Sequence, residues 1–338
     1  QCETIAGDTS TIRSLDWDRS RFDIEFGLRN GTTYNAFLVR GERTALIDTS
    51  HAKFRDTWIA LLKEQIQPTA IDVLIVSHTE PDHSGLIGDL IDLNPDIEIV
   101  GSKVALQFLQ DQVHRPFKSR AVKSGEELDL GTNPDSGIQH RFEFLSAPNL
   151  HWPDTIFSFD HGTGILYTCD AFGLHYCSDD VFDSDPGAIA PDFRFYYDCL
   201  MGPNARSVLQ ALKRIGGLPE INTIAVGHGP LLRHHLSHWV NDYREWSGQR
   251  SKGESYAAVC YLSQYGFSDR ISQAIAHGIG KAEAQVQLVD LRATDPQELT
   301  ALIGDANAVV VPTWPAEPDG ELQASIGTLL AALHPKQL

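Results

Sequence analysis

The densest group of chemically active side chains in the sequence is HTEPDH, residues 78–83. It contains His78, Glu80, Asp82 and His83, which are imidazole and carboxylate groups. Divalent iron, manganese or zinc accepts such ligands without thiolates. The preceding apolar run, residues 71–77, predicts a buried strand, and strand ends are where an α/β sheet presents side chains to a crevice. The segment therefore predicts a metal site at the end of this strand.

Three further residues of ligand type follow apolar runs later in the chain. They are His151 in PNLHWPD, Asp170 in LYTCDAFG and His228 in IAVGHGP. Together with the first segment they give four histidines and three carboxylates, enough for two metals with one carboxylate left to bridge them. Because the chain has 14 histidines, each one alone is better explained as an ordinary polar residue. The ordered set at strand ends favours a binuclear metal site.

The elements that must position these residues are alternating strands and amphipathic helices. Residues 33–39 and 44–48 predict a β-hairpin. Apolar spacing predicts helices around residues 58–66, 86–91 and 208–215, the second ended by Pro95. Further strands are predicted at residues 97–101, 141–146, 156–160, 164–169 and 222–227. This pattern indicates an α/β fold.

A small, polar stretch at residues 246–254 predicts a linker between two domains, residues 1–250 and 251–338. After it, strands at 256–262, 284–291 and 308–311 alternate with helices at 271–280, 296–303 and 321–333. Such alternation is typical of a doubly wound parallel sheet. The sequence contains the first three strands of such a sheet, and residues 251–338 are therefore expected to form the N-terminal half of the domain.

Composition excludes several classes of function. The formal net charge of −18 argues against a nucleic-acid partner, because phosphate binding needs a basic surface. The five cysteines lack CxxC spacing, so neither a disulfide framework nor a thiolate metal site is expected. No apolar run approaches the length of about 18 residues that spans a bilayer, and the N-terminus lacks signal-peptide features. We therefore expect a cytoplasmic protein without a membrane span.

The order H-x-E-x-D-H, then H, D and H, resembles the metallo-β-lactamase superfamily. Hydrolases of that superfamily usually carry H-x-H-x-D-H, and Glu80 in place of the second histidine resembles the flavodiiron branch. Residues 31–35, 151–154 and 169–173 are also similar to flavodiiron proteins, in particular to their cyanobacterial and plant-type members. The resemblance implies a metallo-β-lactamase-like αββα sandwich followed by a partial flavodoxin-like doubly wound sheet.

The resemblance also implies roles for the candidate ligands. The ligands of one iron would be His78, Glu80 and His151. The ligands of the other iron would be Asp82, His83 and His228. Asp170 would bridge the two irons. Asp48, Thr79 or backbone carbonyls could hold the second ring nitrogens of the histidines. Trp152 and Tyr197 correspond to aromatic residues that lie near the irons or the substrate in the family, although large aromatic residues are more often only part of a core.

The resemblance further implies an FMN site on the second domain. Its first loop would comprise Ser263, Gln264, Tyr265, Gly266, Phe267, Ser268 and Asp269, and its second loop Pro312, Thr313 and Trp314. A Gly/Ser loop after a strand and before a helix can hold a phosphate by backbone N–H groups. Because only half of the flavodoxin-like domain is present in the sequence, FMN binding by this chain itself remains open.

The implied activity is the reduction of dioxygen to water, or of nitric oxide to nitrous oxide. Electrons would come from a flavin reductase module or another donor, across a head-to-tail homodimer or a hetero-oligomer with a paralogue. Two alternatives stay open. The chain could be a metal-free or weakly active partner subunit, or a zinc-dependent hydrolase of the same fold, against which Glu80 counts.

Overall fold

The computed structural model describes residues 1–22, 26–251, 256–262, 268–281, 284–292, 294, 296–313 and 315–337. Ser263, Gln264, Tyr265, Gly266, Phe267 and Trp314, which the sequence predicts for flavin binding, lie outside these residues, and the side chain of Asp269 is not described either.

A mixed sheet forms the first half of the larger region. Its strands, in chain order, are β1 (Cys2–Ala6), β2 (Thr9–Asp16), β5 (Thr32–Arg40), β6 (Thr44–Ile47), β7 (Val73–Val76), β8 (Glu98–Gly101) and β9 (Lys118–Ala121), and a separate hairpin consists of β3 (Arg21–Phe22) and β4 (Phe26–Gly27). The strands are antiparallel from β1 to β6 and parallel from β6 to β9. Its helices are α1 (Arg55–Gln65), α2 (Pro81–Ser84), α3 (Ile87–Leu93) and α4 (Lys103–Val113).

A second sheet packs against the first. It contains β10 (Glu127–Thr132), β11 (Gln139–Ser146), β12 (Ile156–Asp160), β13 (Ile165–Cys169) and β14 (Thr223–Val226) in that spatial order. Within this sheet β13 and β14 are parallel, and the other described neighbours are antiparallel. Its helices are α5 (Pro186–Tyr196), α6 (Ala205–Ile215) and α7 (Leu236–Ser251). Alternate side chains such as Phe37, Phe142 and Tyr167 fill the space between the sheets.

Helices cover the outer faces of both sheets. Trp58 and Leu62 of α1 and Leu90 of α3 pack on the outer face of the first sheet, in a core separate from the one between the sheets. All four residues of β7 are buried because helices cover one face and the second sheet the other. The layers are thus helix, sheet, sheet and helix, which confirms the αββα sandwich that the resemblance implies.

The C-terminal region forms its own small parallel sheet. Its strands are β15 (Tyr256–Tyr261), β16 (Gln285–Asp290) and β17 (Ala308–Val310), in the order β16-β15-β17, and its helices are α8 (Ser268–Lys281), α9 (Pro296–Gly304) and α10 (Gly320–Ala332). A separate apolar cluster, including Val289, Leu299 and Leu329, supports it. The predicted alternation of three strands and three helices is confirmed here.

The predicted linker differs from the structure. Residues 246–251 are the end of α7 rather than an extended connection, and residues 252–255 lie outside the description. Trp246 packs against Phe193 and Tyr197, and the buried Ser247 hydrogen bonds Tyr197. The small and polar residues of this stretch therefore form one face of a helix that docks on the first region.

Candidate metal centre

The candidate ligands come from loops that follow strands of both sheets. His78 follows β7 of the first sheet, whereas Asp170 and His228 follow the parallel pair β13 and β14 of the second. Since the carboxyl ends of parallel strands meet at one edge, Asp170 and His228 are neighbours. His151 lies in the connection from β11 to β12. The structure thus brings the two sheets' loops together over the open end of the sandwich.

Three residues of the first segment remain: Glu80 directly precedes helix α2 as its N-cap residue, and the helix itself supplies Asp82 and His83. Pro81 opens this single turn, where its fixed φ and missing N–H are tolerated. Asp82 and His83 lie within the turn and are buried. Gly85 follows at a point where a Cβ would lie 2.4 Å from the carbonyl oxygen of Pro81. A side chain at position 85 would therefore clash with the backbone of this turn.

One group of candidate ligands comprises His78, Glu80 and His151. Glu80 Oε2 lies 3.4 Å from His78 Nε2 and 2.9 Å from His151 Nε2. Asp170 Oδ2 faces the same space, at 3.4 Å from His78 Nε2 and 3.5 Å from His151 Nε2. All four groups can offer one atom each to a common point, which makes this point a candidate position for one metal ion.

The other group comprises Asp82, His83 and His228. Asp82 Oδ2 lies 3.3 Å from His228 Nε2, and its Oδ1 lies 3.6 Å from His83 Nε2. Asp170 Oδ1 lies 3.1 Å from His83 Nε2 and 3.3 Å from His228 Nε2. Asp170 therefore turns one oxygen to each group, which is the geometry of a bridging carboxylate.

Groups outside the cluster orient two of the histidines. His78 Nδ1 donates to Asp154 Oδ1 at 2.9 Å, and Asp154 Oδ2 accepts from Thr79 N and Oγ1 at 2.7 and 2.6 Å. His228 Nδ1 donates to the carbonyl oxygen of Thr33 at 2.7 Å. Such contacts fix the tautomer that leaves Nε2 free to bind a metal.

Two of the expected partners have other roles. Thr79 holds Asp154 rather than a histidine. Asp48 accepts a hydrogen bond from Ser77 N at 2.8 Å and has a φ of 57°, so it shapes the chain where β7 ends. The backbone-carbonyl expectation holds for His228. Asp154 was missed, although it lies in the HWPD motif, because the sequence does not show which histidine it reaches.

Strand β5 holds the loop that carries His228. Asn35 Nδ2 donates to the carbonyl oxygens of Val226 and Gly229 at 2.9 Å each, and Asn35 N donates to that of Gly227 at 2.9 Å. Thr33 Oγ1 accepts from Gly229 N at 2.8 Å. These bonds explain why the predicted motif at residues 31–35 accompanies the candidate ligands, because it holds the loop of the opposite sheet that carries His228.

The electrostatics of the cluster favour cations. Burial alone would raise the pKa of Asp82 and Asp170, yet the adjacent histidines lower it. Burial alone would lower the pKa of His228, but the adjacent carboxylates of Asp170 and Asp82 raise it to about 10. The buried atoms His78 Nε2, His228 Nε2 and Asp82 Oδ1 have no hydrogen-bond partner among the described residues. Buried polar atoms without partners are costly, so the donor set fits bound metal ions.

The two predicted aromatic residues lie in different places. Trp152 is buried beside the cluster, its ring centroid 5.0 Å from that of His78 in an edge-on contact. Tyr197 instead points away and hydrogen bonds Ser247 Oγ at 2.8 Å, so the predicted position of Tyr197 at the site is wrong. Its neighbour Tyr196 donates to Asp170 Oδ1 at 3.0 Å.

Another buried histidine, His175, adjoins the second group and was not predicted from the sequence. Its ring centroid lies 4.8 Å from that of His228 and 4.2 Å from that of Phe22. Burial holds its pKa well below the usual value. His175 follows the CDAFG motif by two residues, which is the one signal in the sequence that could have drawn attention to it.

The described part of the predicted flavin loops lies at one edge of the small sheet. Pro312 and Thr313 follow β17, and Ser268 begins α8 and donates a hydrogen bond to the carbonyl oxygen of Leu262, the residue after β15. Since β15 and β17 are adjacent parallel strands, both loops begin at the same edge. This is where a doubly wound sheet binds ligands.

A centre of imidazole and carboxylate groups, held between the sheets of an αββα sandwich, defines a metallo-β-lactamase-like protein. A family model described as ODP family beta lactamase matches residues 32–229. The metal-soaked Flv1 flavodiiron core from Synechocystis sp. PCC6803 is 31% identical with a TM-score of 0.82, covering 100% of this chain and 83% of that one. The chain belongs to the flavodiiron protein family.

Two further relatives support this assignment. The chain is 56% identical over 338 residues to diflavin flavoprotein A 1 from Synechocystis sp. strain PCC 6803, and it spans 58% of that protein's length. A solved fragment, residues 1–254 of a Nostoc sp. PCC 7120 protein named diflavin flavoprotein A 5, is 34% identical with a TM-score of 0.69, covering 75% of this chain and 98% of the fragment. Across the described residues, the structure contains no helix with the length and apolarity to cross a membrane.

Proposed function

We propose that the chain is the core of an oxidoreductase that reduces dioxygen to water at a pair of iron ions. The observation that carries this proposal is the division of seven candidate ligands into two groups that share Asp170. His78, Glu80 and His151 would hold one iron, and Asp82, His83 and His228 the other. A shared carboxylate keeps two metals close enough to act on one small substrate.

The donor set supports iron over zinc. Glu80 occupies the position at which hydrolases of the superfamily carry a histidine, and it lies 2.9 Å from His151 Nε2 within the first group. A carboxylate is a harder and more anionic ligand than imidazole, and such ligands stabilise oxidised iron. The centre would thus carry three carboxylates, Glu80, Asp82 and Asp170, together with its four histidines.

The two irons and a two-electron flavin would together supply the four electrons that dioxygen needs. The chain's own residues orient and enclose the reacting centre. Tyr196 donates a hydrogen bond to Asp170 Oδ1, with the two oxygen atoms 3.0 Å apart. Trp152 covers the His78 side, and Phe22 and His175 cover the His228 side, which limits access of bulk water.

We further propose that the chain divides into a metal domain, ending near residue 250, and the first half of an FMN domain. The solved 1–254 fragment of the Nostoc protein ends close to the same boundary. The loops after β15 and β17 would bind the flavin phosphate and ring. The remainder of the longer relatives would complete the flavin domain and contribute a flavin reductase module as electron donor, in keeping with the name diflavin flavoprotein.

Metal content and oxygen consumption of the full-length protein test this proposal. Protein purified from iron-replete cells should contain about two irons per chain and consume dioxygen when supplied with a reduced flavin donor. The same preparation should be assayed with nitric oxide, and a faster rate with nitric oxide would change the substrate but not the centre. Glu80→His should raise the zinc-to-iron ratio.

Two results would overturn the proposal. Stoichiometric zinc with negligible iron, together with ester or thioester hydrolysis, would identify a hydrolase. Protein that takes up neither metal after reconstitution would identify a partner subunit that relies on an active paralogue.

A further inference from the structure

The loop between β11 and β12 joins the candidate metal centre to the C-terminal region. It carries His151 and Trp152, and its backbone is closed by Asn149 N donating to the carbonyl oxygen of Trp152 at 2.8 Å. From this loop the Asn149 side chain reaches the small sheet. Its Nδ2 donates to the carbonyl oxygen of Leu288 at 3.0 Å, and its Oδ1 accepts from the hydroxyl of Tyr261 at 3.0 Å.

Both ends of the Asn149 amide are therefore engaged with the C-terminal region. Asn149 is buried, at 4% exposure, so replacing these bonds with water would need the interface to open. Its φ of 64° lies in the left-handed region, which asparagine and glycine adopt more readily than other residues. Position 149 thus combines a backbone requirement with a side chain that can donate and accept at once.

The contact also meets a requirement of the small sheet. Strand β16 is an edge strand among the described strands, so its outer backbone groups need partners from elsewhere. The carbonyl oxygen of Leu288 accepts two such hydrogen bonds, one from Asn149 Nδ2 at 3.0 Å and one from Gln287 Nε2 at 3.1 Å. Gln287 Nε2 also donates to Ser207 Oγ at 3.0 Å, a second bond across the same interface that does not touch the His151 loop.

We propose that Asn149 and Tyr261 are positioning residues that couple the metal affinity of the His78, Glu80 and His151 group to the folding of the C-terminal sheet. This rests on the proposed metal centre. Because His151 lies two residues from Asn149 in the same closed loop, the Asn149 contacts fix the loop that aims its imidazole. Coupling between sites is reciprocal, so metal binding must in turn stabilise β15 and β16.

Cobalt(II) binding to the metal-depleted protein tests the coupling. Asn149→Gly removes both side-chain bonds while keeping a residue that tolerates the left-handed backbone, and Tyr261→Phe removes one bond. Ser207→Ala is the matched control, since it breaks the other interface bond. Asn149→Gly should weaken one of two bound cobalt ions by about 10- to 100-fold, the range found for groups that orient metal ligands. Tyr261→Phe should weaken it less, and Ser207→Ala should leave both ions bound as in the wild type.

Hydrogen exchange supplies the second readout. Cobalt(II) should slow exchange in peptides covering 256–262 and 284–292 of the wild type and of Ser207→Ala, but not of Asn149→Gly. Wild-type affinities for two ions in both Asn149→Gly and Tyr261→Phe would overturn the coupling alone. A wild-type chain that binds no cobalt would overturn the coupling together with the proposed metal centre. Equal weakening in Ser207→Ala would show a general effect of the interface and would also overturn the specific role of Asn149.

Discussion

Asp170 joins the two groups of candidate ligands, because its oxygens face different pairs of histidines. Asp170→Ala should therefore remove at least one of two bound metals and nearly all oxygen consumption, while the fold survives on the surrounding core. Metal analysis, oxygen uptake and circular dichroism check this. Asp111→Ala, at an exposed position of α4, is the control and should change none of them. Full metal content and activity in Asp170→Ala would show that Asp170 does not bridge.

The neighbouring tyrosines 196 and 197 provide a matched pair. Tyr196→Phe removes the bond to Asp170 Oδ1 and should lower metal affinity or oxygen consumption about tenfold or more. Tyr197→Phe removes only the bond to Ser247 Oγ and should cost about 0.5–1.5 kcal/mol of unfolding free energy without changing metal binding. The opposite pattern, with Tyr197→Phe impairing metal binding, would restore the sequence-based assignment of Tyr197.

His140 makes stability depend on pH at a place remote from the candidate metal centre. Burial alone would lower its pKa, but the hydrogen bond of Nδ1 to Asp160 Oδ2 at 2.8 Å and the nearby Asp8 raise it. Because the folded-state pKa is raised, the stabilisation is full below the unfolded pKa of about 6.5 and is lost as pH rises through the folded pKa.

Urea unfolding of the metal-depleted protein between pH 5.5 and about pH 9 checks this expectation. The difference in unfolding free energy between wild type and His140→Gln should be largest at the acidic end and should shrink as the pH rises. His238→Gln, at an exposed position of α7, serves as the control. A difference that grows with pH would contradict the assignment.

At the scale of elements, the loops that follow the strands must leave space for the side chains of the candidate ligands. A Cβ at Gly227, after β14, would lie 2.7 Å from Cε1 of His83. Gly227→Ala should therefore displace His83, weaken the Asp82, His83 and His228 group about 10- to 100-fold, and cost about 1–3 kcal/mol of stability. Cobalt titration and thermal unfolding measure the two effects.

Gly248→Ala is the matched control for that substitution. A Cβ there meets no atom within 4 Å among the described residues, and Gly248 lies inside α7. Alanine should stabilise a helix interior by about 0.5–1 kcal/mol relative to glycine. Unchanged metal affinity in Gly227→Ala would mean that His83 can move without loss, and that the close approach has no functional role.

Prediction of elements from sequence succeeded where the apolar pattern was strong. Strands β7, β12 and β13 are fully buried, and most of the residues in each are apolar, which marked them in the sequence. Strand β2 was missed, because six of its eight residues, among them Arg13, are polar although they are buried. Arg13 is accommodated by hydrogen bonds to Gln1, Asn35 and the backbone of residues 178 and 180, and those partners are distant in sequence.

At the scale of the whole molecule, the resemblance to flavodiiron proteins implies an electron path that crosses between the subunits of a dimer, and complementation of two variants tests it. His83→Ala disables the proposed metal centre, and Gly266→Asp alters the predicted flavin loop. Each full-length variant alone should be inactive, whereas mixing them under subunit exchange should restore part of the oxygen consumption. About half the dimers would be mixed if exchange is random, and each would have one complete pairing. Should mixing restore nothing, each subunit would have to reduce its own centre.

The sequence by itself determined the candidate ligands and the class of fold. Ligand-type residues such as His78 and Asp170 follow apolar runs directly, and both the run and the residue after it are local features. The tertiary structure decided the contacts that join distant segments: Asp154 holds His78, and Asn149 reaches Leu288. It also decided between Tyr196 and Tyr197, since consecutive helical residues point about 100° apart and local spacing does not show which one faces the loops of the second sheet. Such contacts depend on how sheets and helices pack, which no short stretch of sequence encodes.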